Sequence, residues 1–217
     1  MTRFLLVLVA AFLLAENEPN RDAASIAQPD SLERSCAAFP GHISAADLVA
    51  RFGAQDVVTA PVIGMDDGPT DGTVLFPDRP DRRLEIVWQD KESRRTPAWI
   101  AAREPARRWR AQNGIAVGTD LRQLERANRG AFRLAGFQTE AQGQVISWGA
   151  GRFGLATSDA CTVAVYLQPR WDGTENVALI RQVRSGREYS SAHAAMQALN
   201  PRVVRIVLSF FRDSRAG

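Results

Sequence analysis

From Ile43 onward the apolar positions switch between two spacings, and each switch marks an element. In "HISAADLVARFG", Leu48 and Phe52 repeat at i, i+4. Ser44 stands before them as an N-cap residue, with Asp47 in the capping-box position, and Gly53 stops the run. The pattern predicts a short helix over 44–52. Residues 56–63 read as a strand, broken at Pro61. "GMDDGPTDGTVLFPDRPDRRLEIVWQDKESRR" reads as a turn-rich loop, a short strand and a longer one. In the longer one Leu84, Ile86 and Trp88 alternate with Arg83, Glu85, Val87 and Gln89, a period of two. "TPAWIAAREPARRW" adds one more short strand and its turn.

The helical spacing returns in "GIAVGTDLRQLERANRGAFRLAGF". Thr119 is expected to cap a helix over 120–128, with Leu121, Leu124 and Ala127 on one side. Gly130 marks its end, and a strand follows. "GQVISWGAGRFGL" reads as a hairpin: 145–148, a turn at Gly149 and Gly151, then 152–155. "CTVAVYLQP" and "NVALIRQVR" read as two more strands. "SSAHAAMQALNP" reads as a helix capped by Ser190 or Ser191 and stopped before Pro201. "RVVRIVLSFF" reads as a strand with Val204, Ile206, Leu208 and Phe210 on one face. Helices and strands in this order predict an α+β protein of tandem helix-plus-antiparallel-β units, mostly antiparallel sheet, with about three short helices. Leu48 and Leu124 lie 76 residues apart (124 − 48), each in a capped helix followed by Gly, a strand, a Gly-rich loop and a Trp-ended strand. Two repeats are therefore expected, about 44–110 and 114–167, with a helix–strand after them.

The beginning of the chain has a different pattern. "MTRFLLVLVAAFLLAENEPN" carries Arg3, then an apolar run over 4–15. That run is shorter than the roughly 20 residues a bilayer needs. It reads as a secretory signal, with Ala15 before the cut; a short uncleaved anchor is the alternative. No Cys follows it directly, as a lipid anchor would require. The polar residues 16–35, with two prolines, read as a flexible arm, and 36–217 as one α+β domain. The expected location is periplasmic or secreted, with no stable membrane insertion after cleavage.

Composition changes this picture little. The chain of 217 residues is 45% hydrophobic and 24% charged, ordinary for a globular protein. Its net charge is +3, and its basic residues are almost all Arg, Lys91 being the one lysine. That bias fits GC-rich codon usage better than selection for anion binding. Cys36 and Cys161 form an even pair, which in an exported protein points to a disulfide; two buried thiols are the alternative.

The patterns "GTDLRQLERAN" and "GQVISW" resemble the helix–hairpin module of outer-membrane assembly lipoproteins of the SmpA/OmlA type. They are also similar to the tandem repeats of the secreted β-lactamase inhibitory protein. With "GTVLFPDRPDRRLEIVW", the resemblance covers about 44–155 and extends to a broad set of secreted bacterial proteins. It implies that 114–137 is a folding unit, with Thr119 as cap, Leu121 and Leu124 as core and Gly130 as turn. The lipoproteins' anchoring cysteine is missing, and no contact residue of the inhibitor carries over.

Catalytic chemistry is sparsely represented. The two histidines, His42 and His193, belong to no metalloprotease motif, and Ser147 lacks the flanking glycines of a nucleophile elbow. "DDGPTDG" offers Asp66, Asp67 and Asp71 as calcium ligands but lacks the EF-hand spacing; the same residues are common turn formers. No metal site or cofactor is expected. The stretch 94–110 is basic: Arg94, Arg95, Arg103, Arg107, Arg108 and Arg110 interleave with Trp99 and Trp109. Trp99, Arg103, Arg107, Arg108, Trp109 and Arg110 are the candidate binding residues. A solvated strand face with both tryptophans turned into the core gives the same pattern.

Three functions follow as expectations. The first is an exported, non-enzymatic protein that binds another envelope or secreted protein through a sheet face carrying Trp88, Trp99, Trp109 and Trp148. The second is an envelope hydrolase using carboxylates such as Glu85 and Asp90. The third is a module that binds an anionic polymer through the Arg stretch, with nucleic acid excluded by export.

Overall fold

In the computed structural model, the described residues are 39, 42–64, 68–111, 114–137, 143–155, 161–170, 177–184 and 186–210. The expected signal segment and arm, residues 1–35, and Cys36 lie outside them.

Helix α1 (Ala45–Phe52) carries the expected capping box. The Ser44 hydroxyl accepts from the Asp47 amide, and the Asp47 carboxylate accepts from the Ser44 hydroxyl and amide. The Ser44 hydroxyl first, then its amide, hold the Asp47 carboxyl below the usual carboxylate range. Leu48 is fully buried, and Phe52 meets Phe76 edge-on with ring centres 5.3 Å apart.

Four antiparallel strands follow in a meander: β1 (Val57–Ile63), β2 (Pro69–Leu75), β3 (Leu84–Trp88) and β4 (Pro97–Arg103). Pro61 does not break β1, but pairs with Asp71 in continuous register. β1 is an edge strand, so a residue without an N–H can turn that side away from the ladder. The lengths expected for the next two strands are reversed: β2 has seven residues and β3 five. Edge pairing draws polar Thr70 and Asp71 into β2, although their types favour turns.

β9 (Arg202–Phe210) inserts between β4 and β7 (Cys161–Gln168), antiparallel to both. The large sheet thus runs β1-β2-β3-β4-β9-β7. A small sheet, β6-β5-β8, is built from β5 (Arg133–Ala135), β6 (Val145–Ser147) and β8 (Glu188–Ser190). With α2 (Leu121–Asn128), α3 (Val177–Gln182) and α4 (Ala194–Leu199), the fold is α+β and mainly antiparallel sheet, as the patterning predicts. The first candidate repeat sends four strands into the large sheet, whereas β5 and β6 of the second build the small one.

One face of the large sheet supplies Leu75, Leu84, Ile86, Trp88, Ile100 and Ile206 to the main core, shared with Leu48, Leu121, Leu124 and Phe132. The opposite face holds a second cluster of Val62, Val74, Trp99, Ala101, Tyr166 and Val207.

Several local expectations are corrected. Asp120, not Thr119, caps α2, in a capping box with Gln123. The left-handed position after α2 belongs to Arg129, at φ 60°, and the Gly130 amide reaches back to the Glu125 carbonyl. The third buried position of α2 is Asn128, while Ala127 is exposed, because a 3.6-residue period carries the face from Leu121 to i+7. Residues Arg152–Leu155 form a 3-10 turn rather than a returning strand. Residues Val177–Gln182 are helical, with Ile180 and Val183 buried at i, i+3, a spacing hidden inside a continuous apolar run. His193, rather than Ser190 or Ser191, caps α4 by accepting the Ala195 amide on Nδ1. Ser190 instead ends β8, and Ser191 is buried, accepting the Phe132 amide. In β9 a register shift opposite Tyr166 and Leu167 skips Val204, so Val203 shares the core face with Ile206, Leu208 and Phe210.

Candidate anion-binding cleft

The loop leaving β4 is pinned by a tryptophan. Trp109 is 1% exposed, packs near Phe39 and Phe76, and donates its indole N–H to the Arg82 carbonyl at 2.5 Å. A buried indole needs such a partner, and here it fixes the loop at depth. Its neighbours Arg107, Arg108 and Arg110 are therefore exposed. The following segment is stitched to the start of β9. The Gly118 amide donates to the Val203 carbonyl at 2.7 Å, the Val203 amide to the Thr119 carbonyl at 2.8 Å, and the Leu121 amide to the Pro201 carbonyl at 2.8 Å. Gly118 sits at φ 92°, where glycine is favoured, and Arg107 Nε lies 3.6 Å from where its Cβ would be.

This stitching gathers residues far apart in the sequence. Arg107, Arg110, Arg170 and Arg202 line a cleft of about 320 Å³, with Ala116, Val117, Gly118, Thr119 and Gln123 completing the wall. Arg170 follows β7 and Arg202 opens β9, where Gln168 and Arg202 are opposite in register. Glu104 stands behind two of the arginines: Arg202 Nη2 lies 2.9 Å and Arg107 Nη2 3.5 Å from its Oε1. The Nε of Arg202 is buried with no hydrogen-bond partner among the described residues. Arg110 and Arg170 are exposed, with no ion pair among the described residues. The first amides of α2 are already used, by Pro201, Asn200 and Asp120, so the helix end adds no donor. Among the described residues, four guanidiniums against the Glu104 carboxylate leave 4 − 1 = +3; counting the Asp120 carboxylate, which is turned to its own helix, leaves +2. Chemically, the cleft presents planar forks of N–H donors, the geometry that matches the oxygens of phosphate and carboxylate.

Only Arg107 and Arg110 of the candidate binding residues reach this cleft. Trp99 is 7% exposed in the second core cluster, and Trp109 is core. Arg103 is bound to Glu85 and to the Ile63 carbonyl, both at 3.0 Å, and Arg108 lies 3.8 Å from Asp81. Arg94 bonds Thr59 from the other end of β4, a seven-residue strand and hence about 20 Å away. The basic stretch is therefore not one patch. Arg170 and Arg202 carry no signal of their own in the sequence; only the pairing of β7 with β9 brings them to Arg107 and Arg110.

The remaining candidates are dispersed. Trp88 donates to Thr73 inside the core, and Trp148 packs on Phe132 and Phe153, so the four tryptophans share no surface. Glu85 is held between Arg83 and Arg103, while Asp90 lies five positions along, about 15 Å away, in the β3–β4 turn. There the Ser93 hydroxyl first, then the Glu92 and Ser93 amides, keep the Asp90 carboxyl below the usual range. Ser147 accepts the Gly149 amide, His42 is exposed, and Asp71 lies inside β2. Asp66 and Asp67 lie outside the described residues. Cys161 is buried at the head of β7, and its expected partner Cys36 also lies outside them. Among the described residues no three His, Cys, Asp or Glu side chains gather as a metal site, and no helix is long and apolar enough to cross a membrane. No known protein family, curated protein or solved structure compared with the chain matches it.

Proposed function

We propose that the chain is an exported binding protein that holds an anionic group in the four-arginine cleft. The observation that carries this reading is the convergence of Arg107, Arg110, Arg170 and Arg202 on one concavity where, among the described residues, Glu104 is the one carboxylate bound to any of them, and it binds two. Like charges gathered this way repel one another, and an anion in the cleft relieves that repulsion. Export rests on the apolar run over 4–15 behind Arg3. The test is calorimetric titration with pyrophosphate, at low and high salt, of the wild type and of an Arg110→Ala, Arg170→Ala double variant. Both side chains are exposed, so the variant is expected to fold. Binding that is lost in the variant and weakened by salt supports the reading. Equal heats from the two proteins overturn it.

A further inference from the structure

The cleft also bears on the size and charge of what it takes. Its volume of about 320 Å³ lies at the lower end of small-molecule sites, which run from about 300 to 1,000 Å³. Outside the cleft, two of the neighbouring arginines are paired with carboxylates. Arg103 is bound to Glu85, Arg108 lies beside Asp81, and the Arg122 guanidinium donates to the Gln197 carbonyl at 2.6 Å. A strand of an anionic polymer needs a row of free cations along its path, and Arg103 and Arg108 are already paired with carboxylates, while Arg122 keeps its charge but is tied to a backbone carbonyl. Inside the cleft, the net charge of +2 to +3 among the described residues is best balanced by a ligand carrying two or three negative charges close together. Ala116 and Val117 give the cleft a small apolar floor. Arg202 remains half-buried, with one N–H satisfied by Glu104 and its Nε unsatisfied among the described residues.

We infer that the cleft takes a compact small-molecule polyanion, with two or more adjoining phosphate or carboxylate groups, rather than a length of anionic polymer. This rests on the anion-binding reading above. Phosphate and carboxylate share the oxygen geometry that guanidinium forks recognise, so probes of both kinds are needed.

The experiment compares inorganic phosphate, pyrophosphate, tripolyphosphate, citrate and a long-chain polyphosphate by titration calorimetry on the full chain. Pyrophosphate, tripolyphosphate or citrate is expected to bind one to one, at least tenfold tighter than inorganic phosphate. The long polymer is expected to bind no tighter per occupied site than tripolyphosphate. Arg202→Lys keeps the charge and removes the fork; it is expected to weaken the compact anions at least fivefold while leaving the melting temperature near that of the wild type. A polymer that binds tenfold or more tighter per site than every compact probe, with binding still lost in the Arg110→Ala, Arg170→Ala variant, overturns the compact-ligand inference and leaves the anion site standing. No binding by any probe, or binding indifferent to all three arginines, overturns both.

Discussion

Asn128 offers the sharpest test of how this fold is held together. It occupies a core position of α2, is fully buried, and uses both ends of its amide. Its Nδ2 donates to the carbonyls of Gly130 and Trp148, and its Oδ1 accepts the Phe153 amide, each at 3.0 Å. One side chain thus fastens the end of the helix to the segment after β6. Asn128→Ala removes all three bonds. Water can reach the half-exposed Gly130 and Trp148, but the Phe153 amide is left buried. At about 1 kcal/mol for each bond, with the orphaned amide at the upper end of its range, the loss is about 3 kcal/mol. For a domain of this size that lowers the melting temperature by about 6–12 °C, read by calorimetry. Asn128→Asp probes the direction of the bonds. It keeps the acceptor for Phe153 but turns a carboxylate oxygen toward two carbonyls. The native state then favours the protonated acid and raises its pKa above the unfolded value near 4. Stability relative to the wild type is therefore fully kept below about pH 4 and is lost as pH rises from there through the folded value. A shift under 2 °C for Asn128→Ala, or an Asn128→Asp penalty indifferent to pH, would refute the reasoning.

Three further outcomes are expected. Gly143→Ala, at φ 64°, would place a methyl carbon 1.8 Å from the Leu167 carbonyl oxygen, so soluble folded protein should be lost; wild-type yield and circular dichroism would contradict this. The lowered pKa of Asp47 means that its cap is intact above the unfolded value near 4 and weakens as pH falls through the folded value. The protection factors of the first-turn amides of α1, each rate taken relative to the intrinsic rate at the same pH, should fall in acid, and should fall less in Asp47→Asn, which is already weakened at neutral pH. Thiol titration under denaturing, non-reducing conditions should find no free thiol; two reactive thiols would dispose of the Cys36–Cys161 disulfide. In the chain-entropy model, closing a loop on the order of 100 residues contributes at most about 4–5 kcal/mol.

What could be read from the chain was what nearest neighbours decide. The Ser44–Asp47 cap, the Leu48–Phe52 spacing and the alternation of Leu84, Ile86 and Trp88 express local geometry, and all three recur in the fold. What depended on partners was not legible. "NVALIRQVR" has the apolar content of a strand, but α3 packs on α4 and buries only one side. Val204 loses its core place to a register shift that depends on β7. The cleft shows the same division. Arg107 and Arg110 stand out in a basic run, whereas Arg170 and Arg202 join them only because two strands far apart in sequence lie side by side.

The position of β9 bears on the order in which the molecule can be made. Its partners are β4, with Arg103 opposite Arg205, and β7. Until residues 202–210 have emerged, the large sheet is two separate pieces, each with an exposed edge, and the cleft lacks both Arg202 and the Val203 backbone that anchors Gly118 and Thr119. Closing that gap joins segments about a hundred residues apart, the kind of long-range pairing that slows folding. Under the export proposed above, such a delay is an advantage, because the large sheet cannot close until the last described strand is through the translocation pore.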